Sequence, residues 1–207
     1  MKLYIAQRAP NPRRVMLFLA AKELNLEAIG LEVIEVNLTG GENRTPDYLQ
    51  VHPLGQIPAL ELDDGQVITD SMAICRYLEG AFPQNPLFGT ELMEQVRINQ
   101  YDRQAEIEIL LPLMTAFQHG HPFWEGKFEQ VPDVAPVARR RALSRFAYFD
   151  RRLQVVPYLA GDHLSVADLT LYAALDFGRL AGLKVDEQHP HLFAFYQRMH
   201  EKFATVR

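Results

Sequence analysis

His52-Pro-Leu-Gly-Gln-Ile-Pro-Ala-Leu-Glu-Leu-Asp-Asp-Gly-Gln-Val-Ile-Thr-Asp-Ser-Met-Ala-Ile-Cys-Arg-Tyr-Leu78 is the stretch whose reading decides the fold. Pro58–Leu62 and Gln66–Ile68 read as two short strands, joined across Asp63-Asp64-Gly65, a glycine-terminated hairpin turn. Proline cannot donate to a strand ladder, so Pro58 at a strand start marks an edge or a turn. If the Ile57–Pro58 bond is cis, the Ile57 backbone presents both its N–H and its C=O to an extended peptide. Asp70-Ser71 opens a helix expected over Ser71–Glu79, where free amides and the positive dipole end collect. Ser71 and those amides suit a carboxylate, and Asp70 suits an ammonium, so the pair fits an α-amino acid head group. Plain capping of the helix explains the same two residues.

Working outward, Lys2-Leu-Tyr-Ile5 is a short apolar strand, and Pro12 reads as the first residue of a helix over Arg13–Leu24. Ile29–Val36 is β-branched enough for a second strand. Gly40-Gly41 breaks it, and Pro46–Val51 forms a short helix. The order β-α-β-α-β-β-α within the first 80 residues predicts one parallel βαβ unit extended by an antiparallel hairpin, hence a mixed four-stranded sheet. Residues 81–90, with Pro83, Pro86 and Gly89, read as a linker. Beyond it helices are expected at about 91–118, 134–155, 166–181 and 190–203. The fold class is therefore α/β followed by all-α, with domains at 1–80 and 91–207. Ser165-Val-Ala-Asp168 is a capping box with aspartate in place of glutamate.

With 21 Lys and Arg against 26 Asp and Glu, the net charge of −5 argues against a nucleic-acid partner, which requires a basic footprint. The basic helix containing Arg139–Arg141, Arg145, Arg151 and Arg152 reads as a solvated face. The longest early apolar run, Val15–Ala21, is far short of the roughly 20 residues needed to cross a bilayer. Lys22 and Glu23 follow it at once, so a cytosolic protein is expected and no membrane partner. One cysteine, Cys75, excludes an internal disulfide and any multi-cysteine metal site. His119-x-His121 has no third ligand nearby, and no metal is expected.

The run from His52 to Leu78 resembles the glutathione-site region of the glutathione S-transferase superfamily, where an Ile/Val-Pro dipeptide and a Glu/Asp-Ser pair recur at this spacing. The resemblance extends along the chain to the linker and the Ser-x-x-Asp box. It implies a thioredoxin-like N-terminal domain, a helical bundle and a homodimer. Pro58 then looks like the cis-proline, and Ile57 pairs through its backbone with the cysteinyl part of glutathione. Asp70 and Ser71 look like the γ-glutamyl binders. Gln56, with Asn43 and Arg44 in the preceding loop, is expected at the glycine end.

Family members place a Tyr, Ser or Cys after the first strand to favour the glutathione thiolate, the nucleophilic form. Here the corresponding stretch, Gln7–Arg14, holds none; Tyr4 lies too early and Cys75 lies mid-helix. Asn11 is the local substitute. It resembles the Pro-Asn of bacterial nu-type transferases, although Ala9 stands where those carry Thr. Helix-end amides at Pro12 would assist it, while Arg13 and Arg14 either add positive field or are solvated. Some atypical transferases use a water held by the helical domain, and on that pattern His119 or His121 orients the water or contacts the thiol. Phe117, Phe123 and Trp124 alternatively wall an electrophile pocket. The implied function is transfer of glutathione to a small hydrophobic electrophile. Glutathione-dependent disulfide reduction, isomerisation and a non-catalytic interaction module are the alternatives.

Overall fold

The computed structural model describes residues 1–206 and divides into two compact units. One holds Met1–Pro86 and the tail from Thr205; the other holds Leu87–Ala204. The first unit carries strands β1 (Lys2–Ile5), β2 (Glu32–Glu35), β3 (Ala59–Glu61) and β4 (Val67–Thr69), with helices α1 (Pro10–Ala21), α2 (Pro46–Val51) and α3 (Ser71–Ala81). The sheet order is β2-β1-β3-β4. β1 pairs parallel with β2 and antiparallel with β3, which pairs antiparallel with β4. This is the mixed sheet the element order predicts, in the thioredoxin-like layout the resemblance implies. Leu3 and Ile5 alternate inward from β1 and Leu60 from β3, meeting Val15, Phe18 and Leu19 of α1 and Ile74 of α3 in one buried core.

Two boundaries differ from expectation. Helix α1 starts at Pro10, two residues before Pro12, because prolines at the first and third helical positions give up amides that would have no intrahelical partner anyway. It ends at Ala21 instead of Leu24. Glu23 takes a φ of 57°, and the Leu24 N–H returns to the Leu19 carbonyl at 3.1 Å, a Schellman-type stop. Strand β2 is shorter than Ile29–Val36, because Asn25 Oδ1 accepts the Ala28 N–H and Gly30 turns at φ 63°. Those bonds commit residues 25–31 to a turn. Lys22, at the end of α1, is 1% exposed, and its ammonium sits 2.7 Å from Glu79 and 2.7 Å from the Gln84 carbonyl. A charge that deep is tolerable only when paired and hydrogen-bonded. The pairing ties α1 to the end of α3 and to the segment that follows it.

The second unit is helical: α4 (Leu92–Ala105), α5 (Leu111–Gly120), α6 (Val134–Val155), α7 (Val166–Gly178) and α8 (Pro190–Phe203). One helix was expected over 91–118. α4 and α5 are indeed continuous, but through a π turn at Glu106–Leu110. Pro112 lacks the N–H that would bond the Glu108 carbonyl, and its ring would crowd that carbonyl; widening the turn relieves the clash. Helix α7 is apolar on every side and buried along nearly its whole length, with α4, α5 and α8 packed against it. Its start is held by Asp168, as the capping box predicts.

Candidate functional site

The register collects the chemistry-bearing segments of the first unit. Tyr4 pairs with Ala59, and Ala59 with Thr69. The end of β1 that leads into α1, the start of β3 at Ile57-Pro58 and the end of β4 at Asp70-Ser71 therefore share one end of the sheet.

At α3, Asp70 is the N-cap: its Oδ1 accepts the amides of Met72 at 2.9 Å and Ala73 at 3.0 Å. Its backbone sits at φ 84°, a conformation that costs a non-glycine residue on the order of 1 kcal/mol and is offset by those two bonds. Capping, which the sequence leaves as an alternative to ligand binding, takes only one of the two carboxylate oxygens. Oδ1 caps, and Oδ2 has no partner among the described residues. Ser71 is 2% exposed, and among the described residues neither its amide nor its hydroxyl has a hydrogen-bond partner.

The Ile57–Pro58 bond is cis, and outside the sheet ladder no backbone hydrogen bond of Ile57 is formed among the described residues. Gln56 is exposed, and its carbonyl accepts the Tyr48 hydroxyl at 2.7 Å. Asn43 Nδ2 donates to the Gly55 carbonyl at 2.7 Å, and an Arg44 nitrogen lies 3.5 Å from the Leu54 carbonyl. Both residues thus brace the loop; Arg44, exposed, keeps further donors open. Gly55 has to be glycine: its φ is 60°, and a Cβ there would stand 2.6 Å from the Asn43 carbonyl oxygen. Tyr48 and His52 are contributors that sequence reading missed. Only their alignment toward one loop, a tertiary fact, distinguishes them from ordinary helix residues.

His52 is buried, and its Nδ1 accepts the Leu54 N–H at 3.3 Å. Burial holds its pKa below the ordinary 6.5. The folded chain therefore takes up this proton less readily than the unfolded one, so the His52 contribution to stability is intact above pH 6.5 and is lost as pH falls through the folded value. Asp168, raised by burial to about 6, acts oppositely in the same range, gaining stability as pH falls. Comparison with His52→Asn isolates the histidine. In urea unfolding between pH 7.5 and 5, the variant should gain on the wild type as pH falls; a gap independent of pH would exclude this role.

Asn11 is the second residue of α1, half-buried, and its side chain has no hydrogen bond among the described residues. The expectation of several helix-end amides needs correction. Pro10 and Pro12 have none, the Ala9 amide bonds to Ala6 and the Arg13 amide to Ala9, leaving Asn11's own N–H. Arg14 is 2% exposed and so not solvated, and Arg13 reaches the Val206 carbonyl. Tyr4 donates to Glu61 at 2.7 Å; burial first, then this acceptor, pushes its phenol up to about 12. Cys75 is fully buried.

In the helical unit His119 Nδ1 accepts the Val131 amide at 3.0 Å, and His121 Nδ1 accepts the Phe123 amide at 3.1 Å. Each ring closes the chain reversal after α5 and keeps only Nε2 for other work. Phe117 meets the tilted His121 ring at 4.4 Å and stacks on Phe123 at 6.2 Å, and Trp124 meets Phe123 edge-on at 5.2 Å. A separate cavity of about 560 Å³ lies between α5 and α6, lined by Ile107, Leu111, Pro112, Val134 and Val137. The three aromatic residues expected as a pocket wall do not line it. On the basic helix, Arg145 reaches Glu108 at 2.8 Å and remains half exposed. No group of His, Cys, Asp and Glu among the described residues is arranged to hold a metal ion, and no helix is long and apolar enough to cross a membrane.

Family models match the chain twice: the glutathione S-transferase N-terminal domain over residues 9–81 and the glutathione S-transferase C-terminal domain over 108–202. Glutathione S-transferase 2 of Saccharomyces cerevisiae is 33% identical over 204 residues, covering 98% of this chain and 86% of that protein. A crystal structure of Gtt2 from Saccharomyces cerevisiae superposes with a TM-score of 0.92 at 32% identity, covering 100% of both chains. A glutathione S-transferase domain-containing protein from Marinobacter aquaeolei VT8 gives 0.90 at 33% identity, covering 97% of each. With both domain models and a relative along nearly the whole chain agreeing, the chain belongs to the glutathione S-transferase family.

Proposed function

We propose that this chain binds glutathione in its N-terminal domain, residues 1–80, and promotes attack of the glutathione thiolate on a small hydrophobic electrophile. The observation that carries the reading is the set of open polar groups at one end of the sheet: the Ser71 amide and hydroxyl, the spare Asp70 oxygen and the Ile57 backbone. Ser71 takes the γ-glutamyl carboxylate, Asp70 Oδ2 takes the ammonium beside it, and Ile57 pairs with the cysteinyl backbone. Arg44 and Gln56 reach toward the glycine carboxylate. Asn11, through its side chain and the one free amide of the first α1 turn, stabilises the sulfur after its proton leaves for solvent. The Nε2 atoms of His119 and His121 are available to a water on the helical side. The protein acts in the cytosol as a homodimer, without metal, nucleic acid or membrane.

Calorimetric titration with reduced and then oxidised glutathione tests this. Binding of the reduced form alone supports transfer; comparable or tighter binding of the disulfide favours reductase chemistry, and binding of neither removes the catalytic reading. Asn11→Ala should leave affinity within about twofold and lower turnover with a model electrophile about tenfold, the scale of one charge-assisted hydrogen bond. The bound thiol should also titrate at higher pH, read from thiolate absorbance. Undiminished turnover would take Asn11 out of the mechanism.

A further inference from the structure

The loop that precedes Ile57 is held by side chains from a single short stretch of sequence. Between α2 and β3, the Leu54 amide is taken by His52 Nδ1 at 3.3 Å and the Gly55 amide by the His52 carbonyl at 2.7 Å. The Gly55 carbonyl accepts Asn43 Nδ2 at 2.7 Å, and the Gln56 carbonyl accepts the Tyr48 hydroxyl at 2.7 Å. Three successive residues are thereby pinned, and the next one, Ile57, is where the backbone is left open. Tyr48 is itself fixed: it is 6% exposed, and its ring packs edge-on against Tyr4 of β1 at 6.0 Å. Burial pushes its phenol up to about 12, so it stays a hydrogen-bond donor at any physiological pH. The clamp therefore references the loop to the sheet.

We infer that Asn43 and Tyr48 are positioning residues, which touch no part of glutathione but hold the 54–56 loop so that the Ile57 N–H and C=O meet an extended peptide in register. This rests on the reading that the chain binds glutathione, and it moves Asn43 from ligand contact to brace. A floppy loop would have to be ordered by the ligand, and that entropy would be subtracted from affinity. A loop already pinned avoids the cost.

The test uses Tyr48→Phe, which removes one hydroxyl and keeps the ring against Tyr4, and Asn43→Ala, which releases the Gly55 carbonyl. Each should raise the glutathione Kd and KM about fivefold, with kcat unchanged within about twofold, as loss of one hydrogen bond predicts. The diagnostic probe is a glutathione analogue methylated on the cysteinyl amide nitrogen, which cannot donate to Ile57. Wild type should prefer glutathione over it by about tenfold, and in Tyr48→Phe that preference should shrink to about twofold, a coupling that a merely structural role would not produce. If wild type binds glutathione and both variants bind it equally well, or if the preference is unchanged in the weakened variant, the clamp is overturned while the functional reading stands. Wild type that binds no glutathione overturns the functional reading and the positioning role together.

Discussion

Asp168→Ala should lower the unfolding free energy by about 3–5 kcal/mol, measured by urea denaturation at pH 7.5, and so remove a large part of the stability of a domain of this size. The carboxylate is fully buried and accepts the Leu159 amide at 2.7 Å, the Ser165 amide at 2.9 Å and the Ser165 hydroxyl at 2.7 Å. Alanine leaves three donors buried with nothing to bond and unties the turn at Leu159 from the start of α7. The loss is less than the three bonds would sum to, because burial already disfavours the charged carboxyl and raises its pKa to about 6. Asp168→Asn can keep its oxygen for the two Ser165 donors while turning an NH₂ group toward the Leu159 amide, and should fall between alanine and wild type. A change below about 1 kcal/mol in the alanine variant would mean that water enters and satisfies the freed groups.

Asp70→Asn should weaken reduced-glutathione binding by about 10- to 100-fold while the fold keeps its stability, the loss expected for one charge-assisted hydrogen bond to an ammonium. Asparagine is as good an N-cap as aspartate, so the bonds to Met72 and Ala73 survive and only the charge on the spare oxygen goes. Asp70→Ala should lose the same affinity and, in addition, about 1 kcal/mol of stability from the missing cap. The two variants separate the two duties of one side chain. Titration calorimetry reads the affinity, and urea unfolding the cap. Unchanged affinity in Asp70→Asn would detach this carboxylate from the glutathione amino group and leave it a cap alone.

Much of the N-terminal unit was legible because its signals are local. The Asp63-Asp64-Gly65 turn fixes the register of β3 and β4, and Gly65 does take the positive φ, 83°, that the turn needs. Ser165 and Asp168 announce the start of α7 within four residues. Where the reading slipped, two local signals competed. Ile29 and Leu31 look like strand residues, but Asn25 and Gly30 close a turn over them. The stretch 91–118 reads as one helix, yet Pro112 forces a π turn into it.

The candidate site divides along the same line. By itself the sequence determined the order of the elements, the mixed sheet, the helix beginning at Ser71 and the placing of Ile57-Pro58 at a strand start, because hydrophobic period, proline and glycine act over a few residues. Tertiary structure alone decided which atoms remain open. Asp70 divides its two oxygens, the Ala9 and Arg13 amides are taken while that of Asn11 is not, Arg14 is buried, and His119 and His121 spend Nδ1 on backbone amides. Asn43, Tyr48 and His52 converge on three consecutive loop residues in the folded chain, with Tyr48 set against Tyr4 of β1. A hydrogen-bond partner is chosen by position in space to within a few tenths of an ångström, and nothing in the spacing of residues along a chain carries that information.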